Sequence, residues 1–437
     1  MFSLDNEKKG SRQAMSEDII TKILDRNNLN EAFKRVKANK GASGIDDMDI
    51  EETKVYIKEH KNTIVWQLYN RKYQPQPVRR VEIPKPNGGK RKLGIPTVLD
   101  RIIQQAMVQV LSPMFEPHFS DNSYGFRPNR SCEKAIIKAL EFMNDGYDWI
   151  VDIDLEKFFD NVPHDKLLRL VSDVVKDGNV VSLVNKFLKA GVMVENEFEE
   201  TMVGTPQGGP LSPLLSNVIL NKLDKELEAR GLNFVRYADD IIILVKSEKA
   251  ANRVMASITK FIEKKLGLKV NVEKSKVARP NQIKYLGYGF YYTKTGIIKP
   301  KPHLKSIQKF KRKLKQLTKR SWSISLDERI TKLNQVIRGW INYFKIADMK
   351  TCMTIISEHL RRRIRCIIWK QWKVPRKRIP ALVKLGADIE QAKALAFSRK
   401  SYWNSSLFIG IYITNKRLKQ KGLVFPLDHY LKVHTVI

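Results

Sequence analysis

Acidic residues interrupt two of the most apolar segments of this chain, IVDIDLEKFFD at residues 150–160 and YADDIIILV at residues 237–245. In the first segment, Asp152 and Asp154 are two apart, so on a β-strand both side chains point to one face. In the second, Asp239 and Asp240 stand at the turn between two apolar strands, and one of them can face the same way. Burying paired carboxylates is costly unless a cation or a donor neutralises them. The sequence therefore predicts two acid-bearing strands that meet around a cation.

Three converging carboxylates form a hard-oxygen site that suits Mg²⁺. Two such ions about 4 Å apart can activate a 3′-hydroxyl group and stabilise a leaving pyrophosphate. The alternative for either segment alone is structural, with turn chemistry for Asp239 and Asp240 and capping for the other acids.

Positive charge is concentrated in the last third of the chain. Lys and Arg number 80 against 46 Asp and Glu, which gives a net charge of +34. Residues 291–437 hold 34 of these cations and 7 of the acids, a net charge of +27, and the first 290 residues carry only +7. The same region is rich in aromatic residues, which predicts folded helices with a basic surface: Trp322, Trp340, Tyr343, Phe344, Trp369, Trp372, Tyr402 and Trp403. Such a region suits a polyanion such as nucleic acid, and a solvated basic face is the alternative.

Cysteine usage and hydropathy indicate a reducing, cytosolic setting. The three cysteines form neither a disulfide framework nor a C-x-x-C pair. The apolar stretches are too short to span a bilayer, and the first residues, MFSLDNEKKGSRQ, contain no apolar signal core.

Residue periodicity predicts mixed secondary structure up to Pro302 and mostly helices after it. Helices are expected at residues 16–40, with Ser16 as a cap, and at 51–69, 100–115, 132–144, 165–191, 212–230 and 250–266. Strands are expected at 149–155, 234–237 and 241–245. Hairpins are expected around the turn Asn87-Gly88-Gly89 and at residues 195–203 and 284–292.

The order of motifs resembles that of bacterial group II intron-encoded reverse transcriptases and maturases. The matching segments are GASGIDDM, RRVEIPKPNGGKRKLGIPTVLDRIIQQA, SYGFRPNRS, VDIDLEKFFD, GTPQGGPLSPLLSNVIL, RYADD, KYLGYGF and RGWINYF. The resemblance implies an α+β right-hand polymerase fold, with fingers and a palm of antiparallel sheet flanked by helices, an α-helical thumb and a small basic module. The implied domains are an N-terminal extension with the start of the fingers (1–75), fingers and palm (76–295), thumb or maturase X domain (296–375) and DNA-binding domain (376–437). No H-N-H or C-x-x-C cluster stands near the C-terminus, so the class without an endonuclease domain is expected.

The resemblance also chooses between the first two acids. In the family, the metal-binding Asp lies five residues before an aromatic residue that sits under the sugar, which selects Asp154 and Phe159 and makes Asp152 a supporting neighbour. Asp239 is then the principal partner ligand and Asp240 a secondary one, and the carbonyl of Leu155 also reaches a metal. The implied cofactor is a pair of Mg²⁺ ions. Phe159 would exclude a 2′-hydroxyl and so select dNTPs, unless it is an ordinary core residue.

Further site residues follow from the resemblance, each with a plainer alternative. Lys85 and Arg91 resemble the finger cations that close on the triphosphate, with Arg79 or Arg80 able to share this work, or they form a solvated hairpin edge. Gln207 would hold the incoming sugar or base, or bond to its own loop. Contact with the primer or template is implied for Arg127, Leu286 and Gly287; the alternatives are a structural role for the arginine and a simple turn for the other two. Contact with RNA is implied for five arginines, with a solvated helix face as the alternative: Arg338, Arg361, Arg362, Arg363 and Arg365.

The implied activity is RNA-directed DNA polymerisation, combined with binding of intron RNA that promotes splicing and retrohoming. The implied partners are group II intron RNA, an RNA template with a DNA primer, target DNA and dNTPs, in a ribonucleoprotein of the bacterial cytoplasm without membrane association; whether the protein forms a homodimer is left open. Two alternatives remain: an RNA-binding splicing cofactor with a vestigial polymerase, and a domesticated reverse transcriptase in DNA repair or defence.

Overall fold

A computed structural model describes residues 18–84, 90–195, 197–205 and 208–436, without the side chain of Arg91. Ser16, Lys85, the turn at residues 87–89 and Gln207 lie outside the described residues. The chain divides into two compact units after Ala278. We call residues up to Ala278 the first unit and Arg279–Ile437 the second unit. The four predicted domains stay a prediction.

The first unit combines helices with two antiparallel-rich sheets. Its helices are α1 (Ile19–Leu24), α2 (Arg26–Ala38), α3 (Ile50–Tyr69), α4 (Val98–Phe115), α5 (Cys132–Asn144), α6 (His164–Val175), α7 (Gly178–Leu188), α8 (Ser212–Ala229) and α9 (Glu248–Phe261). Its strands are β1 (Val78–Pro84), β2 (Lys90–Ile95), β3 (Trp149–Ile153), β4 (Val192–Val194), β5 (Glu197–Glu199), β6 (Asn233–Tyr237), β7 (Asp240–Val245) and β8 (Lys276–Ala278). The predicted α+β class is confirmed.

Two predicted long helices are each divided in two by an aspartate. Asp25 ends α1 and accepts hydrogen bonds from the backbone N–H groups of Asn27 and Asn28, which starts α2. Asp177 does the same at the start of α7, after Lys176 adopts a left-handed conformation with φ of 50°. Apolar periodicity continues across both breaks, so the prediction missed the capping signal. The hairpin predicted at 195–203 lies a few residues earlier, in β4 and β5.

The central sheet has the strand order β6-β7-β3-β8, with every neighbouring pair antiparallel. Its β3 and β7 are buried on both faces, with Ile150, Val151 and Ile242 fully inaccessible. The other sheet has the order β2-β1-β4-β5 and contains the predicted β1–β2 hairpin, while β1 runs parallel to β4. The buried centre of the central sheet gives a rigid platform for the residues at the ends of its strands.

The second unit is a hairpin followed by helices. Its elements are β9 (Tyr288–Tyr292), β10 (Ile298–Pro302), α10 (Leu304–Leu317), α11 (Leu326–Tyr343), α12 (Lys350–Gln371), α13 (Pro375–Lys384), α14 (Ile389–Ala396), α15 (Tyr402–Phe408), α16 (Asn415–Gln420) and α17 (Pro426–Val433). Aromatic packing joins its first helices, since Trp340 stacks on Phe310 with ring centres 4.4 Å apart. Among the described residues, no helix combines the length and the apolarity that crossing a bilayer requires.

Candidate active site

The acids of both predicted segments lie at the same edge of the central sheet. Ile153 at the end of β3 pairs with Ile241 of β7, so the register continued by one residue places Asp154 beside Asp240. Asp239 lies in the turn between β6 and β7, which the pairing of Tyr237 with Asp240 closes. Asp154 and Asp239 are half-buried and Asp240 is exposed. The two strands therefore place Asp154 beside Asp240, with Asp239 in the adjoining turn, and the role of these acids as metal ligands stays a prediction.

The segment before β8 holds the backbone of Asp154 in place. The carbonyl of Asp154 accepts a hydrogen bond from the backbone N–H of Asn271 at 2.8 Å, and its own N–H donates to Oγ of Ser275 at 3.0 Å. The ammonium of Lys274 lies 3.3 Å from Oδ1 of Asp154, and the lysine side chain is 65% exposed. Asn271, Lys274 and Ser275 were not predicted from the sequence. A signal was present, since the run VNVEKSKVA has two lysines, Lys274 and Lys276, in a segment that lies next to an acid-bearing strand.

Electrostatics at this edge favour a cation. Burial raises the pKa of Asp152 to about 6, the attraction of Lys276 opposes this shift, and repulsion from Asp240 and Asp154 adds to it. The charges of Asp154 and Asp240 thus both act on Asp152, and Lys274 and Lys276 are cations at the same edge. Asp152 lies inside the strand and Asp154 beyond its end, which is consistent with a supporting role for Asp152.

Within the described residues, no three His, Cys, Asp or Glu side chains are already arranged to hold a metal ion. The donor set nevertheless fits a hard divalent ion, because it consists of carboxylate oxygens and a carbonyl. Leu155 and Val270 face each other in an isolated β-bridge. Its backbone hydrogen bonds are made by the neighbours of Leu155, through the carbonyl of Asp154 and the N–H of Glu156. The bridge therefore does not use the carbonyl of Leu155.

A buried arginine holds the turn that carries Asp239. Arg236 is 1% exposed and its guanidinium forms a bidentate pair with Asp224, at 2.7 and 2.6 Å. Its Nη1 also donates to the carbonyl of Ala238 at 2.9 Å. Ala238 has a φ of 56°, a left-handed conformation that costs a non-glycine residue about 1 kcal/mol or more. The Arg236 contact compensates this strain and so fixes where Asp239 stands.

Two other sequence motifs converge on this arginine. Ser123 of SYGFRP accepts from Nη2 of Arg236 at 2.8 Å, and the side chain of Asn217 of PLLSN accepts from Nη1 at 3.0 Å. Asn217 also donates to the carbonyl of Gly125 at 2.8 Å. A side chain at Gly125 would lie 2.2 Å from the backbone nitrogen of Ala238, so only glycine fits there. This network was not predicted, because no regular spacing relates its members.

Phe159 lies beside the loop that contains Gln207. It belongs to the short 3₁₀ turn Phe158–Asp160 and makes an edge contact with Phe158, at 5.1 Å between ring centres. The carbonyl of Phe159 accepts from the N–H of Thr205 at 2.6 Å, which ties the GTPQGG loop to this turn. Phe159 is half-buried and packs against the core. The structure thus brings Phe159 close to the start of the loop, while Gln207 itself is outside the described residues.

The β1–β2 hairpin approaches the same loop. A side chain at Gly208 would lie 2.3 Å from the carbonyl of Gly94, at the end of β2, and Gly208 has a φ of 138°. Arg79 of β1 forms an ion pair with Asp47, and Arg80 is half-buried opposite Gly94. Lys85 is outside the described residues, and only the backbone of Arg91 is described, in β2 opposite Ile83.

Arg127 is enclosed by protein atoms, with 4% of its side chain exposed. Its Nη2 donates to Glu116 at 2.8 Å, and its Nη1 donates to the carbonyls of Ser120 and Ser123. These contacts favour the structural alternative over template binding.

Leu286 and Gly287 form a tight turn between Tyr285 and Tyr288, which exchange backbone hydrogen bonds of 3.1 and 2.8 Å. Both have positive φ, 48° and 83°. The hydroxyl of Tyr343 donates to the carbonyl of Leu286 at 2.8 Å, so α11 holds this turn. A contact with the primer stays a prediction.

The predicted RNA-binding arginines differ in exposure. Arg338 is exposed on α11. Arg361 lies over the ring of Phe425, and Arg362, Arg363 and Arg365 are partly buried and donate to the backbone of other segments. Their acceptors include the carbonyls of residues in α15, at the end of α10 and before α16: Trp403, Thr318 and Ile413. The run ties α12 to its neighbours, and its contact with RNA stays a prediction.

Comparison with known proteins agrees with the order of motifs. Residues 83–290 match the family model for reverse transcriptase (RNA-dependent DNA polymerase), and residues 307–383 match that for the group II intron, maturase-specific domain. The group II intron-encoded protein LtrA of Lactococcus lactis subsp. cremoris is 33% identical over 334 residues, which cover 61% of this chain and 55% of LtrA. The chain therefore spans about half the length of LtrA.

Protein YkfC of Escherichia coli (strain K12) is 32% identical over 293 residues, which cover 58% of this chain and 77% of YkfC. Among solved structures, a chain of a partial Cas6-RT-Cas1–Cas2 complex has a TM-score of 0.37 and 25% identity, over 57% of this chain and 43% of that one, a likeness too low to carry an argument. The two matched families follow one another along the chain, and most of YkfC is covered. The chain belongs to the family of group II intron-encoded reverse transcriptases with a maturase domain.

Proposed function

We propose that the protein is an RNA-directed DNA polymerase that also binds group II intron RNA and assists splicing and retrohoming. One observation supports the polymerase part: β3 and β7 pair so that Asp154 lies beside Asp240, and Asp239 stands in the adjoining turn, which Arg236 holds. The net charge of +27 in residues 291–437 supports binding of RNA.

Reverse transcriptases of this family use divalent metal ions, and we propose two Mg²⁺ ions here. Asp154, Asp239 and Asp240 would hold them, together with the carbonyl of Leu155. Bound ions of this kind activate a 3′-hydroxyl and stabilise a leaving pyrophosphate. Lys274, which lies at Asp154, balances the carboxylate charge at this edge.

The protein's own residues would orient the nucleotide. Phe159, held by Thr205 beside the GTPQGG loop, would lie under the sugar and exclude a 2′-hydroxyl. Gln207 would hold the sugar or base, and Lys85 and Arg91 would bind the triphosphate. RNA template, DNA primer, dNTPs, intron RNA and target DNA are the proposed partners.

Primer extension on an RNA template with Mg²⁺ tests the polymerase part. Asp154→Ala or Asp239→Ala is expected to reduce extension by several orders of magnitude, because a metal ligand is lost. Asp173→Ala, at an exposed position of α6, is the matched control and should retain full activity. RNA binding should change little in all three variants. Near-full extension by Asp154→Ala would make Asp152 the next candidate, and no extension by the wild type would favour a splicing cofactor with a vestigial polymerase.

Sugar selection gives a separate test. Phe159→Val should raise incorporation of rNTPs relative to dNTPs, because a steric block is removed while the carboxylates stay in place. Single-nucleotide extension with matched dNTP and rNTP measures this ratio. An unchanged ratio would assign Phe159 to the core of the first unit.

A further inference from the structure

A basic cavity of about 620 Å³ lies between three helices of the second unit. Its walls come from the C-terminal end of α10, from α12 and from the start of α15, and we call it the three-helix cavity. Its volume lies within the range of roughly 300–1,000 Å³ that is usual for ligand sites. No acidic residue is among the described residues that line it, and its cations and aromatic rings are Lys319, Arg320, Arg363, Lys370, Tyr402 and Trp403.

Contacts inside the protein fix two walls of this cavity. Arg363 of α12 donates to the hydroxyl of Thr318 at 2.5 Å and to its carbonyl at 3.0 Å, which attaches the end of α10. The thiol of Cys366, one turn further along α12, donates to the carbonyl of Tyr402 at 3.2 Å, which attaches α15. The cavity is thus formed before any ligand arrives, so little ordering is needed for binding.

Each of the two aromatic rings in the wall lies near an arginine. Arg362 lies 3.9 Å from the ring centre of Trp403 and donates to the carbonyl of the same residue at 3.0 Å. Arg320 lies 5.0 Å from the ring centre of Tyr402. Tyr402 and Trp403 are half-buried, and both line the cavity. A flat aromatic ligand can therefore contact a ring whose position is already set.

The remaining cations lie at the rim. Lys319 and Arg320 follow the end of α10, Lys370 lies in the last turn of α12, and all three are exposed. Exposed ammonium and guanidinium groups bind phosphate oxygens without a large desolvation cost. Because these exposed cations also line the cavity, they can contact the phosphates that flank a bound unit.

We propose that the three-helix cavity binds one unstacked nucleotide of a single-stranded segment, with its base against Tyr402 and Trp403 and its flanking phosphates on Lys319, Arg320 and Lys370. Aromatic contact with a base and cationic contact with the backbone are the usual combination in single-strand recognition. RNA is the expected source, and in this the inference rests on the proposed function.

The cation part is tested with a fluorescein-labelled hexaribonucleotide and the full chain. The triple variant Lys319→Gln/Arg320→Gln/Lys370→Gln neutralises the rim. It should reduce the slope of the logarithm of affinity against the logarithm of salt concentration by about two, since each phosphate contact on a single strand contributes about 0.7 to this slope. The matched control removes the same charge elsewhere in the second unit, at the exposed residues Lys384, Lys416 and Lys421, each changed to Gln. The control should bind like the wild type. Equal slopes for the two triple variants would overturn the proposal.

The base part is tested with an abasic hexamer that keeps all phosphates. The wild type should bind the abasic hexamer about tenfold more weakly than the hexamer with bases, a ratio within the range for one base–aromatic contact. Trp403→Leu should lose this discrimination, with circular dichroism and thermal unfolding to confirm that it folds. Equal binding of both hexamers by the wild type would show a site for phosphate alone and would contradict the proposal without relying on any variant.

A deoxyribose hexamer decides the source. Tighter binding of the ribose form supports RNA, and equal binding supports a nucleotide site that accepts either strand. Primer extension and binding of structured intron RNA are measured in parallel on the same proteins. If extension and intron-RNA binding succeed while the hexamer tests fail, the cavity proposal is wrong and the proposed function stands. If extension fails while the wild type still discriminates against the abasic hexamer, the cavity proposal stands and the polymerase function is wrong.

Discussion

The two units differ in how they neutralise a buried arginine. In the first unit, Arg236 is 1% exposed and pairs with Asp224, which is fully buried. In the second unit, Arg329 is also 1% exposed, but it donates to backbone carbonyls, including those of Leu317 and Trp322, at 2.5 and 2.7 Å. Burial lowers the pKa of the Arg329 guanidinium from its ordinary value. One unit uses a carboxylate and the other uses the partial charges of the backbone.

The difference follows from composition and helix ends. The last carbonyls of a helix have no partner within it and carry partial negative charge. Residues 291–437 contain only 7 Asp and Glu, so arginines there use these carbonyls. Arg363 donates to carbonyls at the end of α10, as Arg329 does. A dense run of cations in the sequence is therefore not a measure of the charge available to RNA.

The largest effect is expected when the buried Arg236–Asp224 ion pair of the first unit is broken. Arg236→Met should lower the free energy of unfolding by about 3–5 kcal/mol, because it leaves the Asp224 charge buried and uncompensated. Chemical denaturation measures the loss. Replacing both partners, in Arg236→Met/Asp224→Leu, should recover much of it, since the uncompensated charge is then gone.

An exposed pair provides the control for this effect. Arg230 and Glu226 form an ion pair at 2.6 Å with about a third of each side chain exposed, and Arg230→Met should change stability by under about 1 kcal/mol. A loss at Arg236 as small as that at Arg230 would show that the buried pair contributes little. Polymerase activity of the Arg236 variants should fall further than stability explains, because Ala238 loses its contact next to Asp239.

The matching change in the second unit should be smaller. Arg329→Met leaves neutral carbonyls without their donor, and such groups cost about 1–3 kcal/mol when buried. No single second substitution should rescue this variant, because its acceptors belong to the backbone. A loss equal to that of Arg236→Met would mean that the two modes of neutralisation are equivalent, and the comparison between the units would fail.

Asp100 shows what happens in the first unit when a buried carboxylate has only neutral donors. It is 1% exposed and accepts from the hydroxyls of Tyr73 and Thr97 and from the N–H of Gln76, at 2.8 to 3.1 Å. Burial raises its pKa to about 6. The folded state therefore binds this proton more tightly, so the stabilisation is present at low pH and is lost as pH rises through about 6.

Asp100→Asn removes this titration. Between pH 5 and pH 7.5, the stability of the wild type should fall by about 1.4 kcal/mol relative to the variant, the amount that a shift of this size gives over this interval. Denaturation of both proteins at the two pH values measures the difference. A constant difference would show that Asp100 titrates at its ordinary pKa.

Much of the site could be predicted from the sequence, and the missing parts have identifiable causes. Helix α5 has the predicted bounds, because local periodicity determines them, and the two acid-bearing strands β3 and β7 pair with one another as expected. The choice of Asp154 over Asp152 needed the family resemblance, since both point to one face of the strand. Arg236 was missed because its partner Asp224 lies on a helix twelve residues earlier, and only the packing of that helix brings the two together.

The same limit applies to the arginines of α12. Their density predicted an exposed face, yet Arg362, Arg363 and Arg365 are partly buried and donate to backbone acceptors. Neutralising this run is therefore expected to loosen the second unit, so it cannot report on RNA contact alone. A test of RNA binding needs cations whose loss leaves the fold unchanged.

Helix α10 supplies such cations, and changing them should have the smallest effect on stability. Lys305, Lys309 and Lys313 are four residues apart, so they lie on one face, and all three are exposed. Lys305→Gln/Lys309→Gln/Lys313→Gln should change the free energy of unfolding by about 0.5 kcal/mol or less. If each lysine contacts one phosphate of the intron RNA, the log–log salt slope should flatten by about two to three.

Binding of intron RNA between about 50 and 200 mM salt measures this slope, over a range in which the electrostatic part of the affinity is large. Arg329→Met, assayed where it is folded, should keep the wild-type slope, because its guanidinium faces carbonyls and not solvent. A flattened slope for the lysine variant with an unchanged slope for Arg329→Met would separate cations that bind RNA from cations that hold the fold. Parallel curves for all three proteins would place the RNA surface elsewhere. The N-terminal α2 would be a weak candidate, because Glu31 and Glu51 already pair with its Arg35 and Lys37.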